Sequence, residues 1–395
     1  MRLFWLISLV FVALFGSNVV IVEDQFKESG KCKACHSHIV KEWESSWHAK
    51  SHYEKDEYFQ KTIDYIARKD NTKTLNSIKI ECAACHNPRI SVTSTTAEYD
   101  AIASLGLDKD SAIAKAVASG DIVEGINCVV CHNIDNINDH LPETKRGINR
   151  VSWLKSGVMS GPYDDTSSPY HKVIHRDFMN KDSNKLCFVC HANDRSSEGF
   201  VFTNMKNEYK GDKQCVDCHM GPKKAGVAST LPIDNGKPRA RNIREHGFIG
   251  AHTEDMWKNA LKVDTRKSAK NLEVLLTNPQ PHALPSGFGA REIIIEIDYL
   301  KSSKTIKSEK LSLSTKYLNK RGKPTIPHLA AKTLKPFSIA AGETKSYSFA
   351  IANGADEAKV SVYYRLVNDE VRDMLALKQS IWSKKFEIKI IKAKL

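Results

Sequence analysis

The chain has 395 residues, 41% of them hydrophobic and 27% charged, with a formal net charge of +13. That is too long for one compact core, too polar for a protein that crosses a membrane many times, and too rich in aliphatic residues for a disordered chain. All ten cysteines fall in Cys-x-x-Cys-His clusters, five in number, where random placement of ten Cys and 15 His would give about 0.01.

At the N-terminus, Met1-Arg2 precedes an apolar run from Leu3 to Phe15, which Gly16-Ser17-Asn18 interrupts and Val19 to Val22 resumes before Glu23-Asp24. Residues 1–22 read either as a secretory signal peptide with a short apolar core or as an uncleaved membrane anchor of about 20 residues. In both readings Arg2 stays inside and the body of the protein is exported.

Export makes disulfides the plain explanation for ten cysteines, yet disulfides give no reason for a histidine after every second Cys. Structural zinc usually separates its Cys pair from the other ligands by a loop, and a thioredoxin-like centre uses one pair rather than five. Cys-x-x-Cys-His is the attachment signature of c-type haem. Two intervening residues put both sulfurs on one side of a turn, ready for thioethers to the haem vinyl groups, and the adjacent imidazole becomes the proximal iron ligand. The clusters Cys32/Cys35/His36, Cys82/Cys85/His86, Cys128/Cys131/His132, Cys187/Cys190/His191 and Cys215/Cys218/His219 therefore imply five covalently bound haem c groups. Their first cysteines are 50, 46, 59 and 28 residues apart. So little polypeptide cannot keep its cofactors apart, and porphyrins in contact pass electrons along a chain.

The sixth position on each iron separates wire from catalyst. Ten histidines remain outside the clusters: His38, His48, His52, His140, His171, His175, His246, His252, His282 and His328. Simple solvation is expected of His38 and His328. His48 follows Trp43-Glu-Ser-Ser-Trp47 in a predicted helix from about Ile39, with His52 one turn later. His171 and His175 have helical-turn spacing before the fourth cluster, His246 and His252 follow the fifth, and His282 lies in the loop Pro281-His282-Ala-Leu-Pro285. Methionine would raise the potential, but Met220 directly follows a proximal His, and Met159, Met179, Met205 and Met256 read as core. His/His coordination is expected at most irons, with His48, His171, His246, His252 and His282 as distal candidates.

The stretches CKACHSHIVKEWESSWHAKSH, GINCVVCH, SPYH before LCFVCH, NEYKGDKQCVDCHM and HGFIGAH, over roughly residues 30–262, resemble the multihaem cytochrome family of cytochrome c-554 type, related to hydroxylamine oxidoreductase and pentahaem nitrite reductase. The resemblance implies mostly helical loops wrapped around closely stacked haems, in the periplasm, with His48, His171 and His246 as distal ligands. Three features depart from those relatives. No cluster carries Lys in place of His as in nitrite reductases; there are five clusters, against eight in hydroxylamine oxidoreductases and usually four in c-554-type carriers; and a long C-terminal extension follows.

From about Ala269 the apolar residues alternate with period two, in Leu272/Val274/Leu276, Ile293/Ile295/Ile297, Tyr347/Phe349/Ile351, Val360/Val362/Tyr364/Leu366 and Phe386/Ile388/Ile390. Turns at Asn319-Lys-Arg-Gly322 and Ala341-Gly342-Glu343 separate them. The predicted fold is thus a mainly α multihaem cytochrome domain with few strands over residues 23–264, followed by an antiparallel β-sandwich over 265–395. Residues 265–395 hold 24 Lys/Arg against 12 Asp/Glu, and residues 1–264 hold 35 against 34. Each ferric haem with two ionised propionates adds about −1 to the first part. The basic second part then suits an acidic protein partner or anionic lipid, or its lysines are simply solvated; nucleic acid is disfavoured by export. The leading functional expectation is a periplasmic electron carrier between a quinol-oxidising membrane complex and a terminal reductase, with inner-membrane association if the anchor is kept. Its rivals are an oxidoreductase with one open-site haem acting on a small nitrogen or sulfur compound, and a scaffold whose β domain recruits partners. The supply of extra histidines favours the carrier.

Overall fold

The computed structural model describes residues 28–70, 72–87, 97–111, 114, 123–142, 145–155 and 157–395. The expected leader or anchor over residues 1–22 lies outside the described residues, among which no helix is long and apolar enough to cross a membrane. The chain divides into two compact units. The first takes residues up to Cys190 together with Gln214–Phe248, and the second takes His191–Lys213 with Ile249–Leu395. The expected boundary at 264/265 thus falls inside the second unit, and a segment that begins with His191 of the fourth cluster also joins that unit.

Helices of the first unit deliver the cysteine clusters. Leu75–His86 ends on the second, Ser183–His191 on the fourth, and Cys128–His132 and Cys215–His219 are the third and fifth clusters themselves. Lys33–Ser45 carries the first and kinks at His36, whose φ of −117° and ψ of 37° leave the helical region. Local capping explains where these short helices start. Thr74 accepts from Ser77 N at 3.2 Å while Ser77 Oγ accepts from Thr74 N at 3.0 Å, and Asn127 Oδ1 accepts from Val130 N at 3.2 Å. Such caps satisfy amides that the first turn leaves without partners. Glu57–Lys69 buries Phe59, Thr62, Ile63 and Ile66 along one face, the i, i+3, i+4, i+7 stripe of an amphipathic helix.

Between the clusters the chain pairs into small ribbons. β1 (Ile134–Ile137) and β2 (Val151–Trp153) are antiparallel, and β3 (Val158–Gly161) and β4 (Lys172–His175) are parallel. β5 (Asn193–Arg195) and β6 (Val201–Asn204) form a hairpin in the second unit, and β7 (Lys224–Val227) pairs with β8 (Ala240–Ile243) in the first. The whole chain is 29% helix and 30% strand, and up to residue 261 the strands are short ribbons set between helices. Breakers such as Gly157, at φ +77°, and Gly161-Pro162 leave too little uninterrupted chain for helices there. Ile134, Ile137, Phe178 and Val189 form a buried cluster that Cys190 packs against.

The second unit is antiparallel. β9 (Lys262–Lys267), β10 (Asn271–Thr277) and β15 (Thr344–Ala350) make a sheet in the order β15-β10-β9. β11 (Glu292–Lys301), β12 (Lys304–Ser314), β16 (Glu357–Arg365) and β17 (Phe386–Lys394) make another in the order β12-β11-β16-β17, and β13 (Lys316–Leu318) pairs with β14 (Lys332–Lys335). Ile293, Ile295 and Ile297 stand opposite Tyr364, Val362 and Val360, all six without solvent exposure. Each such burial is worth about 1.5–3 kcal/mol. β9 begins inside the region assigned to the cytochrome domain; only Val263 of its residues is buried, too weak an alternation to read from sequence.

Candidate functional site

None of the ten cysteines is paired in a disulfide. Several approach a cysteine of another cluster instead. Cys128 is hydrogen-bonded with Cys32, which draws its thiol below the ordinary value. Cys190 lies against Cys85, and Cys187 against Cys215; the hydrogen bond with that neighbour, then burial, pushes both thiols well up. The third cluster therefore sits beside the first, and the fourth beside both the second and the fifth.

The sequence reads all ten sulfurs alike, and the structure sets them in different surroundings at Cys35 and Cys218. Cys35 is half-buried, and its carbonyl ties the first cluster to a distant loop, accepting from Thr230 N at 2.8 Å and from Thr230 Oγ1 at 3.3 Å. Cys218 is exposed, whereas the other nine cysteines are half-buried. Its carbonyl accepts from Gly221 N at 3.3 Å. The physical reason is the setting of the fifth cluster, since the helix Cys215–His219 buries none of its residues. A local spacing rule specifies two sulfurs and an imidazole but says nothing of what covers them.

Two pairs of imidazoles face each other within this arrangement. The rings of His36 and His171 lie 6.3 Å apart at 35° between planes, and those of His132 and His246 lie 6.4 Å apart at 24°. The outer nitrogens are tied to backbone. His36 Nδ1 meets Ala228 O at 2.6 Å, His132 Nδ1 meets Ser160 O at 2.9 Å, and His246 Nδ1 meets Arg244 O at 3.1 Å. A carbonyl only accepts, so in each neutral ring Nδ1 carries the proton and Nε2 keeps its lone pair. Burial, then the neighbouring His132, pushes His246 down to about 4; burial also lowers His132 and His171. The lowering favours the neutral form of His132, His171 and His246 at pH 7, the form that binds metal.

Each ring is positioned by its local chain. Ser160 lies on β3, and Ala228 directly follows β7. The loop carrying His246 is anchored twice: His246 N donates to Glu42 Oε2 at 2.8 Å, and Arg244 donates to Asp217 in the fifth cluster. Phe248 adopts φ +45°, an uncommon conformation for an aromatic residue, and its ring lies edge-on to His48 at 4.5 Å and to His246 at 5.9 Å. His86 stacks on Phe59 at 4.1 Å and 9°.

Other sequence-derived placements change. The helix expected to run from Ile39 through His48 to His52 stops at Ser45, because Ser46 (φ −75°, ψ 160°) caps a new short helix, Trp47–Lys50, and accepts from Ala49 N at 3.2 Å. His52 lies beyond it, its Nδ1 accepting from Glu54 N at 3.1 Å. His171 and His175 are not one helical turn apart, since β4 occupies Lys172–His175 and a strand of that length puts them about 13 Å apart. His175 Nε2 lies 3.9 Å from Asp177. His252 and His282 belong to the second unit, the first edge-on to Trp382 at 6.2 Å, the second with Nδ1 3.0 Å from Ala283 O. His328, expected to be solvated, is half-buried against Phe202 at 4.8 Å and Phe288 at 6.1 Å. Nothing in Ile326-Pro327-His328 announces this, because Phe202 comes from a hairpin more than a hundred residues earlier. His38 is exposed and pairs with Glu42 at 2.9 Å.

Two imidazoles that bind one iron through Nε2, with bonds of about 2.0–2.1 Å, hold their ring centroids about 6.3 Å apart. Both facing pairs have that separation, and His36, His132 and His246 have that tautomer, so the residues present fit haem iron. Residues 31–133 and 163–220 match the family model described as cytochrome c554 and c-prime. No curated protein matches the sequence. Among solved structures, the penta-heme cytochrome c552 from Thermochromatium tepidum superposes with a TM-score of 0.69 at 19% identity, covering 94% of this chain and 100% of that one. At that identity the likeness concerns the fold. A superoxide reductase in the oxidized state covers 35% of this chain and 88% of its own at 8% identity, with a TM-score of 0.18, too low to indicate a common fold. Kinship and chemistry thus agree on the attachment clusters: the cytochrome region of this chain is similar to the multihaem c-type cytochromes described as cytochrome c554 and c-prime, and that likeness supports covalently bound haem c.

Proposed function

We propose that the protein is an exported, periplasmic electron relay with five covalently bound haem c groups, mostly bis-His ligated. The observation that carries this reading is the pair of facing imidazole couples, His36 with His171 and His132 with His246. Bound there, haem would supply reversible one-electron storage at each iron. The chain's own residues do the rest. The ten cluster cysteines attach the groups, the half-buried Cys35 and the exposed Cys218 among them. His36, His86, His132, His191 and His219 serve as proximal ligands; His171 and His246 close two of the distal positions. His48, His252 and His282 remain the distal candidates from the sequence. The contacts between clusters, first to third and fourth to second and fifth, with Cys131 of the third near enough to raise Cys187 and Cys190 of the fourth, support a continuous path rather than isolated centres.

The two antiparallel sheets of the second unit fit the β-sandwich expected from their alternation, and their lysines suit docking on an acidic redox partner or on anionic lipid. Partners of the right chemistry are a quinol-oxidising membrane complex on one side and a terminal reductase on the other. The test is spectroscopic. Ferric protein with only low-spin signals, whose reduced form does not bind carbon monoxide, supports the relay. A high-spin ferric signal together with carbon monoxide binding would replace it with an oxidoreductase that keeps one open iron.

A further inference from the structure

The 3-10 turn Gly147–Arg150 packs on the helix that ends in the second cluster. Gly147 has φ +53°, and a Cβ there would lie 1.9 Å from Ala84 O and 2.9 Å from Cys85 Sγ, so only glycine permits the approach. Arg150 closes this turn. It is 6% exposed, with Nε enclosed and without an acceptor. Beyond its own turn it bonds through the backbone, its carbonyl accepting from Asn138 N at 2.8 Å. The acidic residues on either side of Asn138 are already engaged, Asp135 with Arg176 and Asp139 with Lys185.

A guanidinium does not shed its proton inside a protein. Burial without an anion therefore leaves a full charge out of water, which proteins avoid by pairing it. No described side chain supplies that anion. Haem c brings two carboxylates per group into the same unit, and planar bidentate pairing with carboxylate is what guanidinium does best. We infer that Arg150 is the counter-ion of a haem propionate. A fixed positive charge beside the porphyrin also favours the reduced iron, so Arg150 raises the potential of that haem above what its ligands alone would set. The inference rests on the covalent-haem reading of the clusters.

The experiment uses the holoprotein. Haem content of wild type is measured first: bare cysteines would sink the haem reading itself, whereas five haems with unmoved potentials would sink only the role of Arg150. Spectroelectrochemical titration of Arg150→Met should find one haem about tenfold more oxidised at its wild-type midpoint, which is about 59 mV for a one-electron couple. The other four should move less than twofold, and Arg150→Lys, which keeps the charge, less than threefold. Five midpoints unchanged in Arg150→Met would overturn the inference. A crystal structure of wild-type holoprotein decides if that variant fails to assemble. A propionate oxygen within hydrogen-bond distance of the guanidinium supports the pairing; a protein carboxylate, an inorganic anion or water alone in that place overturns it.

Discussion

The ring of His171 lies 6.3 Å from that of His36 between centres, which makes it the proposed second ligand to the iron that His36 binds. Alanine there should leave one of the irons without its sixth ligand. The expected outcome is a new high-spin ferric signal and carbon monoxide binding equivalent to one haem in five, with the other four unaltered; wild-type spectra in His171→Ala would remove His171 from the ligand set. In the second unit, Arg365 and Glu292 are 4% and 3% exposed, and Nε donates to Glu292 at 2.8 Å. Arg365→Met strands the carboxylate, and about 3–5 kcal/mol of stability should be lost in urea titrations at pH 7. Asp369 is held below its ordinary 3.8, first by its hydrogen bond with Arg365. A carboxyl with a depressed folded pKa contributes its stability fully above the unfolded value and loses it as pH falls through the folded one. Asp369→Asn should therefore be less stable than wild type at pH 6, with the gap closing below about pH 4. A gap that stays constant down to pH 3 would contradict the pairing.

Among elements, the Gly147–Arg150 turn and β16 are the sharpest tests. Gly147→Ala combines an unfavourable φ with a backbone clash, so the turn should lift off the helix that carries Cys82 and Cys85. Fewer haems per chain and lower thermal stability are the expected readouts, and full haem content at an unchanged melting temperature would show that the turn does not support the second cluster. In β16, Val360 is fully buried opposite Ile297. Val360→Ala leaves a cavity in a two-sided core contact and should cost about 0.5–3 kcal/mol, toward the lower end of large-to-small core changes. The edge strand β12 behaves differently. Lys304, Lys307 and Lys310 are exposed along it, and charge on an edge blocks pairing with a second sheet.

For the molecule as a whole, lopsided charge is the property that matters. The β-rich C-terminal part holds twice as many basic as acidic residues over 265–395. Association with an acidic redox partner should slow as salt rises from low to physiological, because exposed charges are screened beyond about 8–10 Å. A rate of electron transfer indifferent to salt would assign those lysines to solubility alone.

The cofactor chemistry and most of the strands were legible in the residues alone. Covalent attachment needs two sulfurs and an imidazole at fixed spacing, which is local information, and the β faces follow from the two-residue period of Ile293/Ile295/Ile297 and Val360/Val362/Tyr364. His171 and His246 were legible as ligand candidates, but their partners were not. Which imidazole meets which depends on β3, β7 and the His246 loop, brought together across as many as 192 residues by the bond from His36 to Ala228. The same distance in sequence hid His328 behind Phe202, left Arg150 looking like an ordinary surface arginine, and made the exposed Cys218 indistinguishable from its covered counterparts. Tertiary structure decided these, because burial and the absence of a counter-charge belong to three-dimensional surroundings that no window of sequence contains.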